Sequence, residues 1–150
     1  MYKFNIRVYG LLINSAEQIL ISDEEKQGIR FSKFPGGGLE YGEGLADALK
    51  REFREECDVD IEIAEHFYTT DFFIQSVFDE SQVISIYYLV EPKGALNMSF
   101  RERPFDFGSS SDPFQAFRWR SLYELEESEF LFETDQKVVS LLKEKWKQGA

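Results

Sequence analysis

Apolar and polar positions along the chain switch between two periods. Tyr2 to Ile13 is rich in Ile, Val, Leu, Tyr and Phe, breaks at Asn14-Ser15-Ala16-Glu17, and resumes at Ile19-Leu20-Ile21. This predicts a strand, a turn and a strand. Asp23-Glu24-Glu25-Lys26-Gln27-Gly28 reads as a polar loop, and Ile29 to Phe34 as a further strand that delivers the chain to Pro35-Gly36-Gly37-Gly38. Ile61 to Phe78 predicts two extended segments around Thr69-Thr70-Asp71, with Asp79-Glu80-Ser81-Gln82 as the next turn. Val83 to Val90 is a continuous apolar run with the composition of a buried strand, closed by Pro92-Lys93-Gly94. Leu96 to Phe117 is the least regular part, and a long loop of that kind often serves as a lid or specificity loop. Ser121-Leu122-Tyr123-Glu124 supplies a capping box, with Ser at the N-cap and Glu at N3. A terminal helix from about Thr134 to Lys147 carries Val138, Leu141, Leu142 and Trp146 on one face.

The strongest periodic element is the helix expected from Leu45 to Cys57. It holds strong helix formers without Gly or Pro and follows Gly42-Glu43-Gly44. Leu45, Leu49, Glu52 and Glu56 follow an i, i+4, i+7, i+11 seam that begins apolar and ends acidic. Strands before and after this helix, with a second helix at the end, make the chain an α/β protein with a layered architecture.

Composition adds limits. The 150 residues suit one domain, 1–150, able to bury roughly 68–70% of the unfolded chain's surface. A net charge of -11 argues against long nucleic acid or an anionic membrane as the main partner, while small phosphorylated ligands remain compatible with a local cation site. The lone Cys57 excludes an intrachain disulfide and any CxxC metal site. No basic-then-apolar leader and no apolar run of membrane-spanning length is present, so the expected location is cytoplasmic. His66, the only histidine, is given no role.

The acidic end of the helix carries the candidate chemistry. Glu52, Glu55 and Glu56 stand at i, i+3, i+4 and converge within about 100° of helix arc. On a solvated face each like-charged pair costs only about 0.2–0.5 kcal/mol, so a plain acidic surface is the competing reading. The apolar half of the seam must pack, however, and it carries Glu52 and Glu56 to the edge of a buried surface. Two such charges near 5.5 Å at an effective dielectric of 20 repel by roughly 3 kcal/mol. Either one glutamate stays protonated or a hard divalent cation sits among them, and oxygen ligands suit Mg²⁺ or Mn²⁺.

Spacing then narrows the field. Gly37, five residues, Glu43, seven residues, then Arg51-Glu52-Phe53-Arg54-Glu55-Glu56 is a pattern expected by chance in fewer than about one in 10⁴ chains of this length. It resembles the Nudix box, and the chain resembles a Nudix hydrolase over nearly its whole length. One position departs: Asp58 stands where the family's left-handed glycine cap is usual, at a cost of order 1 kcal/mol.

The resemblance implies an α/β/α sandwich with a mixed β-sheet and a central glycine loop followed by a helix. It implies that Glu52, Glu55 and Glu56 hold Mg²⁺ or Mn²⁺, helped by a carbonyl of the Gly36-Gly37 turn. Arg51 would pair with Glu43 and orient the neighbouring carboxylates, with Glu43 in a partly structural part. Water would attack one phosphorus of a diphosphate linkage in a nucleoside diphosphate joined to another group X. Glu55, Glu56 or an acid from the later loop (Glu102, Asp106 or Asp112) would act as base. Arg7, Arg30 and Lys33, with Gly37 and Gly38, are candidates for substrate contact; solvated strand positions are the plainer reading of the three cations. Phe67, Tyr68, Phe72, Phe73 and Phe78 either fill core or include a ring that stacks on a base.

The expected substrate is a small nucleotide-linked molecule such as ADP-ribose or another nucleotide sugar. The alternatives are a pyrophosphohydrolase acting on oxidised nucleoside triphosphates and a nucleotide-sugar sensor without turnover. A sensor is expected to lose box carboxylates or to be fused to a DNA-binding segment, and here every box carboxylate is present. Many members of the family dimerise, which makes a homodimer an open expectation.

Overall fold

The computed structural model describes residues 3–109 and 114–147. It is a mixed α/β structure whose contacts divide the chain into two compact units. One comprises Met1–Leu12 and Pro35–Met98, the other Ile13–Phe34 and Ser99–Ala150.

The first unit holds a four-stranded mixed sheet in the order β4-β1-β6-β5. Its strands are β1 (Phe4–Leu12), β4 (Gly36–Gly38), β5 (Ile61–Thr69) and β6 (Gln82–Pro92). β1 and β6 are parallel in a nine-residue register from Phe4↔Gln82 to Leu12↔Val90, and the other pairs are antiparallel. Helix α1 (Leu45–Cys57) keeps the expected bounds. Its buried side chains are Ala48, Leu49, Phe53 and Cys57. The apolar stripe therefore follows Leu49, Phe53 and Cys57 at four-residue steps, and Glu52 and Glu56 flank it, only partly exposed. Phe53 sets the closeness of the helix to β1: a Cβ added at Gly10 would lie 2.4 Å from its ring.

The second unit holds the antiparallel sheet β3-β2-β7, with β2 (Gln18–Lys26), β3 (Ile29–Lys33) and β7 (Phe114–Ser121), followed by a 3₁₀ turn at Glu127–Glu129 and helix α2 (Glu133–Lys145). Phe31 against Phe132 and Phe34 against Phe130 pack the sheet side to the final segment. Val138, Val139 and Leu142 are the buried face of α2.

Four expectations need correction. Asp23 to Lys26 is strand, not loop, because Asp23 is wholly buried and bonded to Arg118 (Nε to Oδ2 2.7 Å) and Ser32 (2.7 Å). Gly36–Gly38 is a short strand on β1 instead of a free loop. After β5, the expected second extended segment reduces to an isolated bridge between Gln75 and Gln82. No helix starts at Ser121: Glu124 is drawn to Arg120 (3.0 Å), and the capping box is formed by Glu126 and Glu129 on the 3₁₀ turn. Of the strand aromatics, Tyr68 is buried, while Phe72 and Phe73 are 37% and 69% exposed. No helix among the described residues is long and apolar enough to cross a membrane.

Candidate active site

The site lies in the first unit, where a glycine strand runs into a turn and then into α1. Gly36 has φ +150, and a Cβ there would fall 2.0 Å from the Val8 carbonyl oxygen, so only glycine fits. Gly37 faces the helix. A Cβ at Gly37 would stand 2.6 Å from Cδ and Oε1 of Glu52, so the missing side chain is what lets that carboxylate lie against the loop. Gly38 needs no such clearance, its nearest neighbour being Arg7 Nη1 at 3.7 Å. The strand is fastened by Gly10 N–H to the Pro35 carbonyl (2.8 Å) and Leu39 N–H to the Ile6 carbonyl (2.9 Å).

Arg51 is the hub. Its Nε donates to Glu43 Oε2 (3.0 Å) and its Nη2 to Glu43 Oε1 (2.6 Å), a two-point grip. Nη2 also donates to the Gly38 carbonyl (3.0 Å), and Nη1 to Glu52 Oε1 (3.0 Å) and Glu55 Oε2 (3.3 Å). The bond from Arg51, with the Glu40 backbone N–H (2.9 Å), holds the Glu43 carboxyl down at about 2. The bond to Glu43 pushes the Arg51 guanidinium up, against desolvation by burial.

The structure thus brings Glu43, Arg51, Glu52, Glu55 and Gly38 together. Glu52 is largely covered, while the Glu55 side chain is 58% exposed. Glu56 lies one residue on, with its Oε2 atom withdrawn from solvent. Among the described residues no three His, Cys, Asp or Glu side chains are already drawn into a metal-ligand cluster. The Arg51 guanidinium places a positive charge among Glu43, Glu52 and Glu55. The donor set fits a hard divalent cation in kind: carboxylate oxygens on one helix, beside a glycine strand cleared of side chains. One contributor was missed from the sequence: Glu40, whose N–H fixes Glu43 and whose carboxylate lies 3.8 Å from Arg51. Its three-residue spacing from Glu43 within the turn was the available signal.

Lys33, Arg30, Glu102 and Asp106 belong to the second unit. Lys33 is buried and paired with Glu24 (3.0 Å), and Arg30 is exposed and paired with Glu25 (2.9 Å). Glu102 and Asp106 line an open pocket of about 680 Å³ with Phe100, Arg101, Arg103 and Pro104. Asp112 lies outside the described residues.

Glycine strand, carboxylate-bearing helix and Arg-Glu hub define a hydrolase of the Nudix class, and the family described as NUDIX domain matches residues 3–142. The chain belongs to that family. It is similar in fold to the E. coli ORF135 protein at 19% identity, covering 99% of this chain and 96% of that one with a TM-score of 0.72. The MutT protein from Methanosarcina mazei Go1 is 18% identical over 98% of each chain, with a TM-score of 0.71. An ADP-ribose pyrophosphatase from Streptococcus suis 89-1591 is 15% identical, covering 97% of this chain and 94% of that one with a TM-score of 0.62. No curated protein matches the chain significantly.

Proposed function

We propose that the protein hydrolyses a diphosphate linkage in a small nucleotide joined to another group X, with ADP-ribose or another nucleotide sugar as the representative substrate. The observation that carries this reading is the Arg51 hub, which holds Glu43, Glu52 and Glu55 beside the cleared backbone at Gly37. Glu52, Glu55 and Glu56, with a Gly36 carbonyl, would hold Mg²⁺ or Mn²⁺. When bound, the cation supplies charge neutralisation at the phosphate oxygens and a lowered pKa for attacking water.

The chain's own residues supply positioning. Arg51 sets the direction of the Glu52 and Glu55 carboxylates, and Glu43 fixes Arg51 from behind. Gly37 leaves room for anionic groups to approach the backbone. Glu55 holds Arg51 by the longest of the Arg51 hydrogen bonds and is the most exposed of the paired box carboxylates, which suits a base that turns toward water. Glu56 is the other candidate for that proton. Long RNA is disfavoured by the net charge of -11.

The test is a panel of ADP-ribose, other nucleotide sugars, dinucleoside polyphosphates and oxidised nucleoside triphosphates, incubated with Mg²⁺ and scored for released phosphate or monophosphate. Turnover of a nucleotide-X compound above the triphosphates supports the proposal. Preference for triphosphates moves the assignment to nucleotide sanitation, and binding without turnover moves it to a sensor.

A further inference from the structure

Nη1 of Arg51 is the crowded corner of the site. It donates to Glu52 Oε1 (3.0 Å) and Glu55 Oε2 (3.3 Å), and Glu40 Oε1 lies 3.8 Å away. A terminal guanidinium nitrogen carries two hydrogens, so three carboxylates face two donors. Glu40 is the one without a hydrogen, because 3.8 Å is an ion-pair distance and too long for a hydrogen bond.

The three carboxylates are held to different degrees. Glu52 is largely covered and lies against Gly37. Glu55 is exposed and has the longest of the Arg51 hydrogen bonds, so it is the partner most easily drawn away. The Glu40 side chain is 69% exposed, yet its backbone is anchored at both ends of the peptide unit it shares with the turn. Its N–H donates to Glu43 Oε1 (2.9 Å), and its carbonyl accepts from the Glu43 N–H (3.2 Å). The turn therefore keeps Glu40 beside Nη1 while its carboxylate moves.

The guanidinium does not follow a departing partner. Nε and Nη2 are gripped by the two Glu43 oxygens, and Nη2 also by the Gly38 carbonyl (3.0 Å). Arg51 stays in place, and one Nη1 hydrogen is vacated when Glu55 turns.

We propose that Glu40 is a positioning residue for the cation site: as Glu55 turns from Arg51 to the divalent cation, Glu40 takes the vacated Nη1 hydrogen and keeps Arg51, and through it Glu52, in position. This rests on the metal-dependent hydrolysis proposed above and adds a residue to it. The arginine is then paired in both states, and Glu55 is released without leaving a partly buried guanidinium hydrogen unbonded.

The experiment measures Mn²⁺ affinity without substrate, from the electron paramagnetic resonance signal of free Mn²⁺, in the wild type, Glu40→Gln and Glu40→Ala. Glu40→Ala should weaken the Kd about ten-fold. Glu40→Gln, which keeps an acceptor oxygen, should lose clearly less. The metal-free thermal midpoint should stay at the wild-type value in both, since the Glu40 carboxylate accepts no hydrogen from Arg51 before the exchange. An unchanged Kd in Glu40→Ala overturns the proposal. So does an equal loss in both variants, because both remove the same charge and equality marks a plain attraction of that charge for the cation. A metal-free midpoint that falls along with the affinity marks a purely structural role and overturns it as well. A wild type that binds no Mn²⁺ contradicts the metal-dependent reading and the exchange with it, whereas Mn²⁺ binding that is indifferent to Glu40 contradicts the exchange alone.

Discussion

Arg51 grips Glu43 at two points, Nη2 to Oε1 at 2.6 Å and Nε to Oε2 at 3.0 Å, across the whole turn that leads into α1. The pair ties the end of the glycine strand to the middle of the helix. Because the Glu43 carboxyl is held at about 2, below its ordinary 4.5, folding favours its ionised form. The sign follows: its contribution to stability is complete above the unfolded value near 4.5 and disappears as pH falls toward 2. Denaturation curves between about pH 5 and about pH 2 should fall less steeply for Glu43→Gln than for the wild type. At neutral pH the same variant should lose roughly 10–100-fold in turnover through misaimed Glu52 and Glu55.

Gly37 separates packing from chemistry. Gly37→Ala puts a methyl group 2.6 Å from the Glu52 carboxylate, which is the end of a flexible side chain and moves aside. The expected result is a small change in thermal midpoint with turnover down about 10²-fold, since displacing a catalytic group by about 1 Å is enough for that loss.

Asp58 ends α1 in the left-handed region, at φ 50 and ψ 43, with its N–H on the Arg54 carbonyl at 3.2 Å. Asp58→Gly removes the Cβ penalty and should stabilise the protein by about 1 kcal/mol, read as a higher denaturant midpoint at unchanged slope. Activity should not change.

In the second unit, Asp23 is wholly buried and accepts bonds from Arg118, Ser32 and the Phe105 N–H (3.3 Å). Asp23→Ala takes the nearer carboxylate from a guanidinium that is 6% exposed, leaving only Glu129 at 4.0 Å, and should destabilise by about 3 kcal/mol in equilibrium unfolding.

What the sequence disclosed and what it hid divide by range. Helix α1 was legible to its bounds because propensity, flanking glycines and periodicity are local and agree. The Gly37 to Glu56 spacing was legible for the same reason. Asp23 has the sequence signature of a loop, because a charged residue marks a turn unless a distant partner buries it, and that partner, Arg118, comes ninety-five residues later. Ser121 and Glu124 had the spacing of a capping box, but Arg120 captured Glu124 and the box formed at Glu126 and Glu129. In the site itself, spacing set Arg51 near Glu52 and Glu55, while the use of every Arg51 donor depends on Glu43 and the Gly38 carbonyl, reached only through the folded turn.

The most direct test of the central claim is the Mg²⁺ dependence of diphosphate hydrolysis in the wild type and in Glu56→Gln. The account predicts that wild-type turnover rises from nothing measurable in chelator to saturation with Mg²⁺. It predicts that Glu56→Gln, with an unchanged thermal midpoint, is slower by about 10³-fold or more. Hydrolysis that persists in chelator, or a Glu56→Gln variant at the wild-type rate, would contradict it.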